Sequence, residues 1–271
     1  MRIAKTHVTM THVTKTHVTK THVTKTYVYA ILAAALPIAA YVAWSLGWPP
    51  ALAFRDRGYP AGFRELVLEG TSSPLDPSFA PLSIPRAGTA PKPEVAALCE
   101  ALFRDPASPA VGRPESPVPI AAFLDYRCPY CKTLTGILSR LQAGPVRMIY
   151  KDWPILGDGS VLGARAALAA HRQGQYLAFH TRLMNSRFVP TDRFVEDIAA
   201  GLGLNRAQWR SDMNSRATTA AIERTAALAA ALGFLGTPAL VVGRTVVQGE
   251  IARRQLERLI EDERQPQAKV C

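Results

Sequence analysis

Two cysteines separated by two residues, Cys128 and Cys131, are the side chains of this sequence best suited to chemistry. A C-x-x-C pair either exchanges disulfides or supplies half of a zinc site. A zinc tetrahedron would need a second close-spaced pair of cysteines or histidines, and the sequence offers none. The spacing therefore favours thiol–disulfide exchange over a structural metal site.

The residues around the pair predict a strand, a turn and a helix. Val118–Leu124 is a short apolar run typical of a buried strand, and Pro129 suits the first turn of a helix because its missing N–H costs nothing there. The helix is predicted to stop at Gly144-Pro145, before a second strand, Val146–Tyr150. The result is a βαβ unit with the cysteines at the first strand-to-helix turn.

This placement favours the reactivity that disulfide exchange requires. The nucleophile is a thiolate, whereas a free cysteine has a pKa of ~8.5. Cys128 at a helix N-terminus would face unpaired backbone N–H groups and the positive end of the helix dipole, and both stabilise the anion. Cys131, one turn further along, would be shielded and serve as the resolving thiol.

A helical tract follows the βαβ unit, and a hairpin and a last helix close the domain. The predicted helices are Ser160–His171, Gln175–Ser186, Asp192–Gly201, Ala207–Asn214, Ala217–Leu232 and Ile251–Glu263, and the predicted strands are Ala239–Val242 and Thr245–Gln248. Cys131 and Pro238 stand 107 residues apart, more than a minimal thioredoxin domain needs. We predict an α/β, thioredoxin-like fold with a helical domain inserted at about residues 157–233.

Four segments resemble the DsbA family of envelope disulfide oxidoreductases, and they occur in the family's order. They are FLDYRCPYCK, KDWPILGDGSVLGARAALAA, QYLAFHTRLM and GTPALVVGRTVVQGE. The resemblance extends from about Cys99 to Ile260. It is greatest to the branch that contains copper-sensitivity suppressor proteins and other membrane-anchored DsbA-like proteins.

The resemblance implies an enzyme, a protein thiol–disulfide oxidoreductase that uses no cofactor and no metal, with Cys128 and Cys131 as its catalytic residues. The residues that would bind the substrate lie between the cysteines or match the family's cis-proline turn: Pro129, Tyr130, Thr237 and Pro238. A cis bond before Pro238 would leave the Thr237 backbone free to pair with an extended peptide by β-augmentation.

One position departs from the family's pattern. An acidic residue commonly stands six positions before the first active-site cysteine and moves protons to the buried thiol, whereas this sequence has Ala122 there. Asp125, Lys151 and Asp152 are nearby candidates, and none is an assured substitute. The two histidines of the domain are interpreted as surface or packing residues rather than catalysts: His171 and His180.

The N-terminal residues predict a targeting segment rather than a folded domain. Residues 6–25 repeat a five-residue unit, and we interpret residues 1–27 as a basic, low-complexity leader. Residues 28–48 are apolar and uncharged, and as a helix they would span about 31 Å, the thickness of a bilayer core. Because lysines precede this transmembrane anchor, the rest of the chain should face outward. Alternatively, residues 28–48 are part of a signal sequence that is cleaved after Ala53.

The next stretch, residues 49–115, is rich in proline and predicts an extended linker that leads to a DsbA-like domain at 116–265. One short helix, Lys92–Arg104, interrupts it. An exported chain with an even number of cysteines suggests that Cys99 pairs with Cys271. The alternative is that Cys99 packs as a free thiol on the apolar face of the helix.

The formal net charge of +11 does not indicate nucleic-acid binding. Residues 1–27 contribute +5, which leaves +6 on the rest of the chain, and these cations are scattered without interleaved aromatic residues. The partners predicted instead are exported cysteine-containing proteins, a membrane redox partner, and the membrane itself through the N-terminal helix. The localisation predicted is the periplasmic side of the inner membrane, or the periplasm after cleavage.

Other functions remain open at this stage. A glutaredoxin also carries Cys-Pro-Tyr-Cys, but it is cytosolic and lacks a helical insertion. A copper-handling protein would bind Cu(I) through both thiolates, since soft ligands suit that ion. Within the oxidoreductases we expect an oxidase or general exchange enzyme rather than an oligomeric isomerase, because no sustained heptad supports oligomerisation.

Overall fold

The computed structural model describes residues 37–38, 41, 51–68, 93–142, 144–265 and 270–271. The chain divides into two units, Met1–Pro50 and Ala51–Cys271. The predicted leader at 1–27 lies outside the described residues, as does most of the apolar stretch at 28–48. None of the described helices is both long and apolar enough to cross a bilayer.

Seven strands of the second unit form one sheet. They are β1 (Ala53–Asp56), β2 (Arg64–Val67), β3 (Ala110–Val111), β4 (Val118–Leu124), β5 (Val146–Asp152), β6 (Ala239–Val242) and β7 (Thr245–Gln248). Their order across the sheet is β1-β2-β7-β6-β4-β5-β3. β4 and β5 are parallel, β6 is antiparallel to β4, and β7 is antiparallel to β6. The cysteine-bearing strand-to-helix turn therefore follows a strand in the middle of the sheet.

Eight helices are described in the same unit: α1 (Val95–Phe103), α2 (Pro129–Leu141), α3 (Asp158–His171), α4 (Tyr176–Met184), α5 (Asp192–Gly201), α6 (Arg206–Met213), α7 (Arg216–Ala231) and α8 (Arg253–Glu263). Five of them, α3 to α7, lie between β5 and β6 and form the predicted helical insertion. This mixed α/β arrangement confirms the thioredoxin-like fold class.

The central strands bury side chains on both faces of the sheet. Alternate residues of β4, such as Ala122 and Leu124, belong to a core shared with Cys131 and the helical insertion. The residues between them, such as Phe123, face a second core that includes residues of α1. β5 runs past its predicted end at Tyr150 to Asp152, so two charged residues lie inside the sheet.

The hairpin of β6 and β7 has its predicted bounds and is tied to α8 by a buried carboxylate. Glu263 accepts hydrogen bonds from the Thr245 hydroxyl at 2.7 Å and the Arg244 N–H at 3.0 Å. Gly243, at the turn, has φ +54°, and a Cβ there would clash with the Glu263 carboxylate. Glycine is thus required at this turn for both its backbone and its lack of a side chain.

The prediction of an extended linker at 49–115 needs a correction. Residues 53–56, 64–67 and 110–111 are strands of the sheet. β1 pairs with β2, and β2 runs parallel beside β7. Arg64 stacks on the Phe54 ring, 3.6 Å from its centroid, and forms an ion pair with Glu263 at 2.6 Å. β2 and its partners β7 and Glu263 are almost the whole domain apart in sequence. The local, proline-rich sequence around β2 therefore did not indicate that it pairs with them.

The predicted bond between Cys99 and Cys271 is confirmed, with the two Cα atoms 5.4 Å apart. Cys99 lies on α1, which is slightly shorter than the predicted helix Lys92–Arg104. Val270 packs against the second core, next to Gly62 in the β1–β2 turn. The disulfide therefore fastens the last residues of the chain to α1.

Candidate active site

The turn between β4 and α2 is held by the carboxylate of Asp125. Its Oδ1 accepts from the Arg127 N–H and the Ser160 hydroxyl, both at 2.7 Å. Its Oδ2 accepts from the N–H groups of Ile155, at 2.7 Å, and Leu156, at 3.0 Å. Asp125 is 1% exposed, and its acceptor sites are taken by these donors. Asp125 thus anchors the turn.

Cys128 is the N-cap residue of α2. Its backbone is extended, at φ −74° and ψ 117°, and its Sγ accepts from the Cys131 N–H at 3.3 Å. Pro129 is the first residue of the helix, as predicted. A sulfur at this position satisfies an N–H group that the helix itself leaves unpaired.

The two thiols differ sharply in their acidity. Hydrogen bonding with Cys131 lowers the pKa of Cys128 to about 6, against the opposing effect of burial, and Thr237 contributes in the same direction. Burial raises the pKa of Cys131 far above its ordinary range. Cys131 is 0% exposed and Cys128 is 3% exposed. At neutral pH the site therefore holds one thiolate and one thiol, with the anion on Cys128.

The Thr237–Pro238 peptide bond is cis, as the resemblance implied, and it lies beside the nucleophile. The Thr237 carbonyl oxygen is 3.3 Å from Cys128 Sγ, across 109 residues of sequence. Pro238 is followed directly by β6, and its own carbonyl accepts the Gly249 N–H at 2.9 Å. The structure thus brings the predicted cysteines and the predicted proline turn together.

Large apolar side chains are exposed between the cysteines, in loops that contact the cysteine turn, and just before the cis-proline, and we call this set the apolar rim. Its members are Tyr130, Ile155, Leu156, Phe188, Val189 and Leu235. Tyr130, between the cysteines, is 57% exposed, and its contact with substrate stays a prediction. The other five were not predicted. The available signal was large apolar residues in loops next to the recognised motifs.

Two contacts connect loops of the rim to the cysteine turn, and a third loop precedes the proline turn. The Arg127 guanidinium donates to the Leu156 carbonyl. Lys132 Nζ donates to the Ser186 carbonyl at 2.6 Å, which fixes the loop that carries Phe188. Leu235 stands two residues before Thr237. The rim therefore combines loops from three parts of the chain that adjoin the cysteine turn or the proline turn.

The departure at Ala122 leaves an apolar position beside the thiols. Ala122 is buried in the centre of the sheet, with Tyr150 opposite it on β5. Lys151 is turned to the other side, where Nζ donates to the Ala101 carbonyl at 2.5 Å and the Ser108 hydroxyl at 2.7 Å. Burial lowers the pKa of Lys151 to about 8. Lys151 is therefore not placed to replace an acid at position 122.

Asp152 lies on the thiol side of the sheet, and so does one of the histidines. Asp152 accepts the Tyr176 hydroxyl at 2.9 Å, and burial raises its pKa to about 7. His180 is fully buried among the rings of Tyr126, Tyr150 and Tyr176. His171 is at the end of α3, and burial lowers its pKa.

Comparison with known proteins places the site in a family. Residues 104–262 match the family model described as thioredoxin. A thioredoxin-like oxidoreductase from Silicibacter pomeroyi DSS-3 is 42% identical, with a TM-score of 0.59, over 61% of this chain and 96% of that one. A periplasmic thioredoxin-like protein from Salmonella enterica serovar Typhimurium is 32% identical, with a TM-score of 0.57, over 62% and 96%.

A third solved structure is that of a thiol-disulfide exchange protein. The thiol-disulfide exchange protein alpha-DsbA2 from Wolbachia pipientis is 26% identical to this chain, with a TM-score of 0.58, over 62% of this chain and 92% of that one. The match to the thioredoxin family model covers the βαβ unit, the helical insertion and the hairpin, in which the sequence resembles the DsbA family. The chain therefore belongs to the thioredoxin family and, within it, to the DsbA-like thiol–disulfide oxidoreductases.

Proposed function

We propose that this protein exchanges disulfides with exported cysteine-containing proteins, as an oxidase or general exchange enzyme, with Cys128 attacking and Cys131 resolving. The observation that carries the proposal is the difference in acidity between the two thiols. With a pKa of about 6, Cys128 is roughly nine-tenths thiolate at pH 7. Cys131 stays protonated and covered until a mixed disulfide forms.

In the oxidising direction, a substrate thiolate attacks Cys128 Sγ of the enzyme disulfide, and Cys131 leaves with the electron pair and takes up a proton. A second substrate thiolate then attacks the substrate sulfur of the mixed disulfide and expels Cys128 as a thiolate. The substrate is oxidised to a disulfide and the enzyme is reduced to one thiolate and one thiol. A low pKa makes Cys128 the better leaving group, which favours this direction.

The acidity of Cys128 also indicates how oxidising the protein is. A pKa of about 6 lies between those of thioredoxin, ~7, and DsbA, ~3.5. We therefore expect a reduction potential between roughly −270 and −120 mV, the values of those two proteins. This range suits oxidation and general exchange, and a membrane redox partner would restore the disulfide.

Substrate binding is proposed at Pro129, Tyr130, Thr237 and Pro238, together with the apolar rim. The Thr237 backbone lies beside Cys128 Sγ, where an extended peptide can pair with it as an added strand. The exposed apolar side chains of the rim would contact other parts of the same peptide. Unfolded chains expose apolar residues next to their cysteines, so such segments suit this surface.

The proposed location is the periplasmic side of the inner membrane, with residues 28–48 as the anchor. The disulfide between Cys99 and Cys271 fits an oxidising compartment, and the Salmonella relative is described as periplasmic. Leu52 packs against the first core, and Ala53 begins β1. Cleavage after Ala53 would remove both, which favours retention of the anchor over a cleaved signal. A reporter fused after Cys271 that works only outside the cytoplasm should be active, and activity of a cytoplasmic reporter would contradict this topology.

Paired assays test the direction of exchange. The purified protein should oxidise a reduced two-cysteine peptide readily and refold a scrambled multi-disulfide protein poorly. Strong unscrambling by a stable oligomer would make disulfide isomerase the better assignment. The same preparation titrated with Cu(I), with and without residues 1–27, tests the copper-handling alternative, because tight copper binding without peptide oxidation would favour that function.

A further inference from the structure

The loop at residues 232–238 leads from α7 to the cis peptide bond and carries the backbone proposed to bind substrate. It is neither helix nor strand. Leu232 is the C-cap residue of α7, Leu235 belongs to the apolar rim, and the Thr237 carbonyl lies 3.3 Å from Cys128 Sγ. Peptide pairing at Thr237 therefore requires that this irregular loop be held in place.

The β1–β2 hairpin contacts the start of this loop. The Arg57 guanidinium, in the turn between the two strands, donates to the Leu232 carbonyl. Phe63, in the same turn, is 2% exposed and packs in the second core with Leu232 and Phe234. The hairpin thus holds the end of α7 through a hydrogen bond and a shared apolar core.

A relay of side chains connects the same hairpin to the middle of the loop. The Leu235 N–H donates to Gln248 Oε1 at 3.2 Å, and Gln248 Nε2 donates to Glu65 Oε1 at 3.0 Å. Glu65 lies on β2, and Gln248 is the last residue of β7. The hairpin thereby reaches a backbone N–H two residues before Thr237.

The carboxylate of Glu65 determines which way the Gln248 amide faces. A carboxylate only accepts hydrogen bonds, whereas an amide group has a donating and an accepting end. Glu65 therefore requires the NH2 group of Gln248 on its own side, which leaves Oε1 toward the Leu235 N–H. The other oxygen of Glu65 accepts from the Arg55 guanidinium at 3.0 Å and forms an ion pair with Arg57 at 3.6 Å. Two arginines thus hold the acid, and the acid orients the amide.

These supports come from outside the part of the chain that matches the thioredoxin family model. That match covers residues 104–262, which include the 232–238 loop and Gln248, whereas both strands of the hairpin precede it. A loop that is already held in its binding conformation loses less entropy when a peptide pairs with it, and it binds the peptide more tightly for that reason. The contacts of the hairpin therefore bear on peptide binding.

We propose that the β1–β2 hairpin is part of the peptide-binding site, in which Glu65 and Gln248 are positioning residues that act through Leu235 on the Thr237 backbone. They favour exchange with extended peptides over exchange with small thiols, because a small thiol reaches Cys128 without pairing with Thr237. This inference rests on the proposed function, namely exchange with peptides that bind beside Cys128.

The test measures how fast a reduced two-cysteine peptide and dithiothreitol each reduce the Cys128–Cys131 disulfide of the full chain. Alkylation of Cys128 after an acid quench follows both reactions. In Gln248→Leu the rate constant for the peptide should fall about threefold to tenfold, which is the effect of one lost hydrogen bond. The rate constant for dithiothreitol should stay unchanged.

A double-variant cycle tests the relay. Glu65→Leu removes the acceptor that orients Gln248, so it should also slow the reaction with the peptide and not the reaction with dithiothreitol. If Glu65 acts through Gln248, the double variant should react with the peptide no more slowly than Gln248→Leu does. Additive losses would show that Glu65 acts by another route and would overturn the relay.

Glu196→Leu is the matched control, because Glu196 also pairs with two arginines, Arg206 at 3.1 Å and Arg210 at 2.6 Å. Glu196 lies on α5 in the helical insertion, so neither rate constant should change. Urea denaturation of each variant separates a loss of stability from a loss of peptide exchange. A lower urea midpoint of Gln248→Leu and Glu65→Leu with unchanged rate constants would reduce the relay to a structural role and overturn the inference.

The outcomes distinguish this inference from the function on which it rests. If the peptide does not reduce the disulfide of the unaltered protein, the proposed function fails and the inference with it. If the peptide does so, and Gln248→Leu slows the peptide and dithiothreitol equally or slows neither, the function stands and the positioning role is rejected.

Discussion

Replacing Asp125 by asparagine tests the claim that one carboxylate holds the cysteine turn. Asp125→Asn keeps one side-chain oxygen, which can still accept from the Arg127 N–H and the Ser160 hydroxyl. The amide nitrogen that replaces Oδ2 is a donor, and it would face the N–H groups of Ile155 and Leu156. Two part-buried donors would then lose their acceptor.

The expected cost follows from those two donors. A buried donor left unsatisfied costs about 1–3 kcal/mol, and these two donors are part-buried, so Asp125→Asn should lower the free energy of unfolding by about 2–4 kcal/mol. Urea denaturation followed by far-UV circular dichroism measures this, and the dependence on urea concentration should keep its slope. The matched control is Asp158→Asn, in the exposed first turn of α3, which should cost about 0.3–1 kcal/mol.

This reasoning would be refuted if Asp125→Asn lowered the free energy of unfolding by no more than the control does. The turn would then be fixed by β4 and α2 on their own, and the four hydrogen bonds to Asp125 would contribute little. A change in the urea slope would instead indicate an altered unfolded or native state, and the comparison would be repeated by thermal unfolding.

Three further predictions concern the disulfide, the thiolate and the apolar rim. Cys271→Ser should lower the free energy of unfolding by about 2–5 kcal/mol under non-reducing conditions, and an unchanged urea midpoint would show that the bond to Cys99 does not stabilise the fold. Thiolate absorbance near 240 nm of the reduced protein should rise with a midpoint near pH 6, so the rate of peptide reduction should fall as the pH drops through that value. A midpoint above pH 8 would contradict the N-cap argument. Phe188→Asp should raise KM for an apolar cysteine peptide several-fold without moving the Cys128 titration, and unchanged KM would remove the rim from the substrate site.

The elements that follow from local sequence were predictable with close bounds. β4, β6 and β7 are short apolar runs between turn residues, and the structure has them as predicted. α2 begins at Pro129, because proline suits the first helical turn, and ends shortly before Gly144-Pro145. Predicting the site residues of the C-x-x-C motif required only these elements and the family resemblance.

The remaining features depend on contacts that the sequence does not display. β1 and β2 join the sheet through β7 and Glu263, which come near the end of the chain. The proline-rich sequence around β1 and β2 therefore did not indicate strands. The role of Asp125 depends on donors at residues 155, 156 and 160, which belong to another loop. Asp152 looked like a polar strand end, and only the burial of β5 shows it as an interior acid.

Trapping of mixed disulfides tests the central claim most directly, namely that Cys128 attacks and Cys131 resolves. In cells that produce the Cys131→Ser variant, the attack by Cys128 still occurs, but the buried resolving thiol is missing. Covalent complexes with cysteine-containing envelope proteins should therefore accumulate, and a reductant should dissolve them. The Cys128→Ser variant should yield few complexes, because the remaining thiol is fully buried and protonated. Equal trapping by both variants, or trapping by Cys128→Ser alone, would contradict the assigned roles.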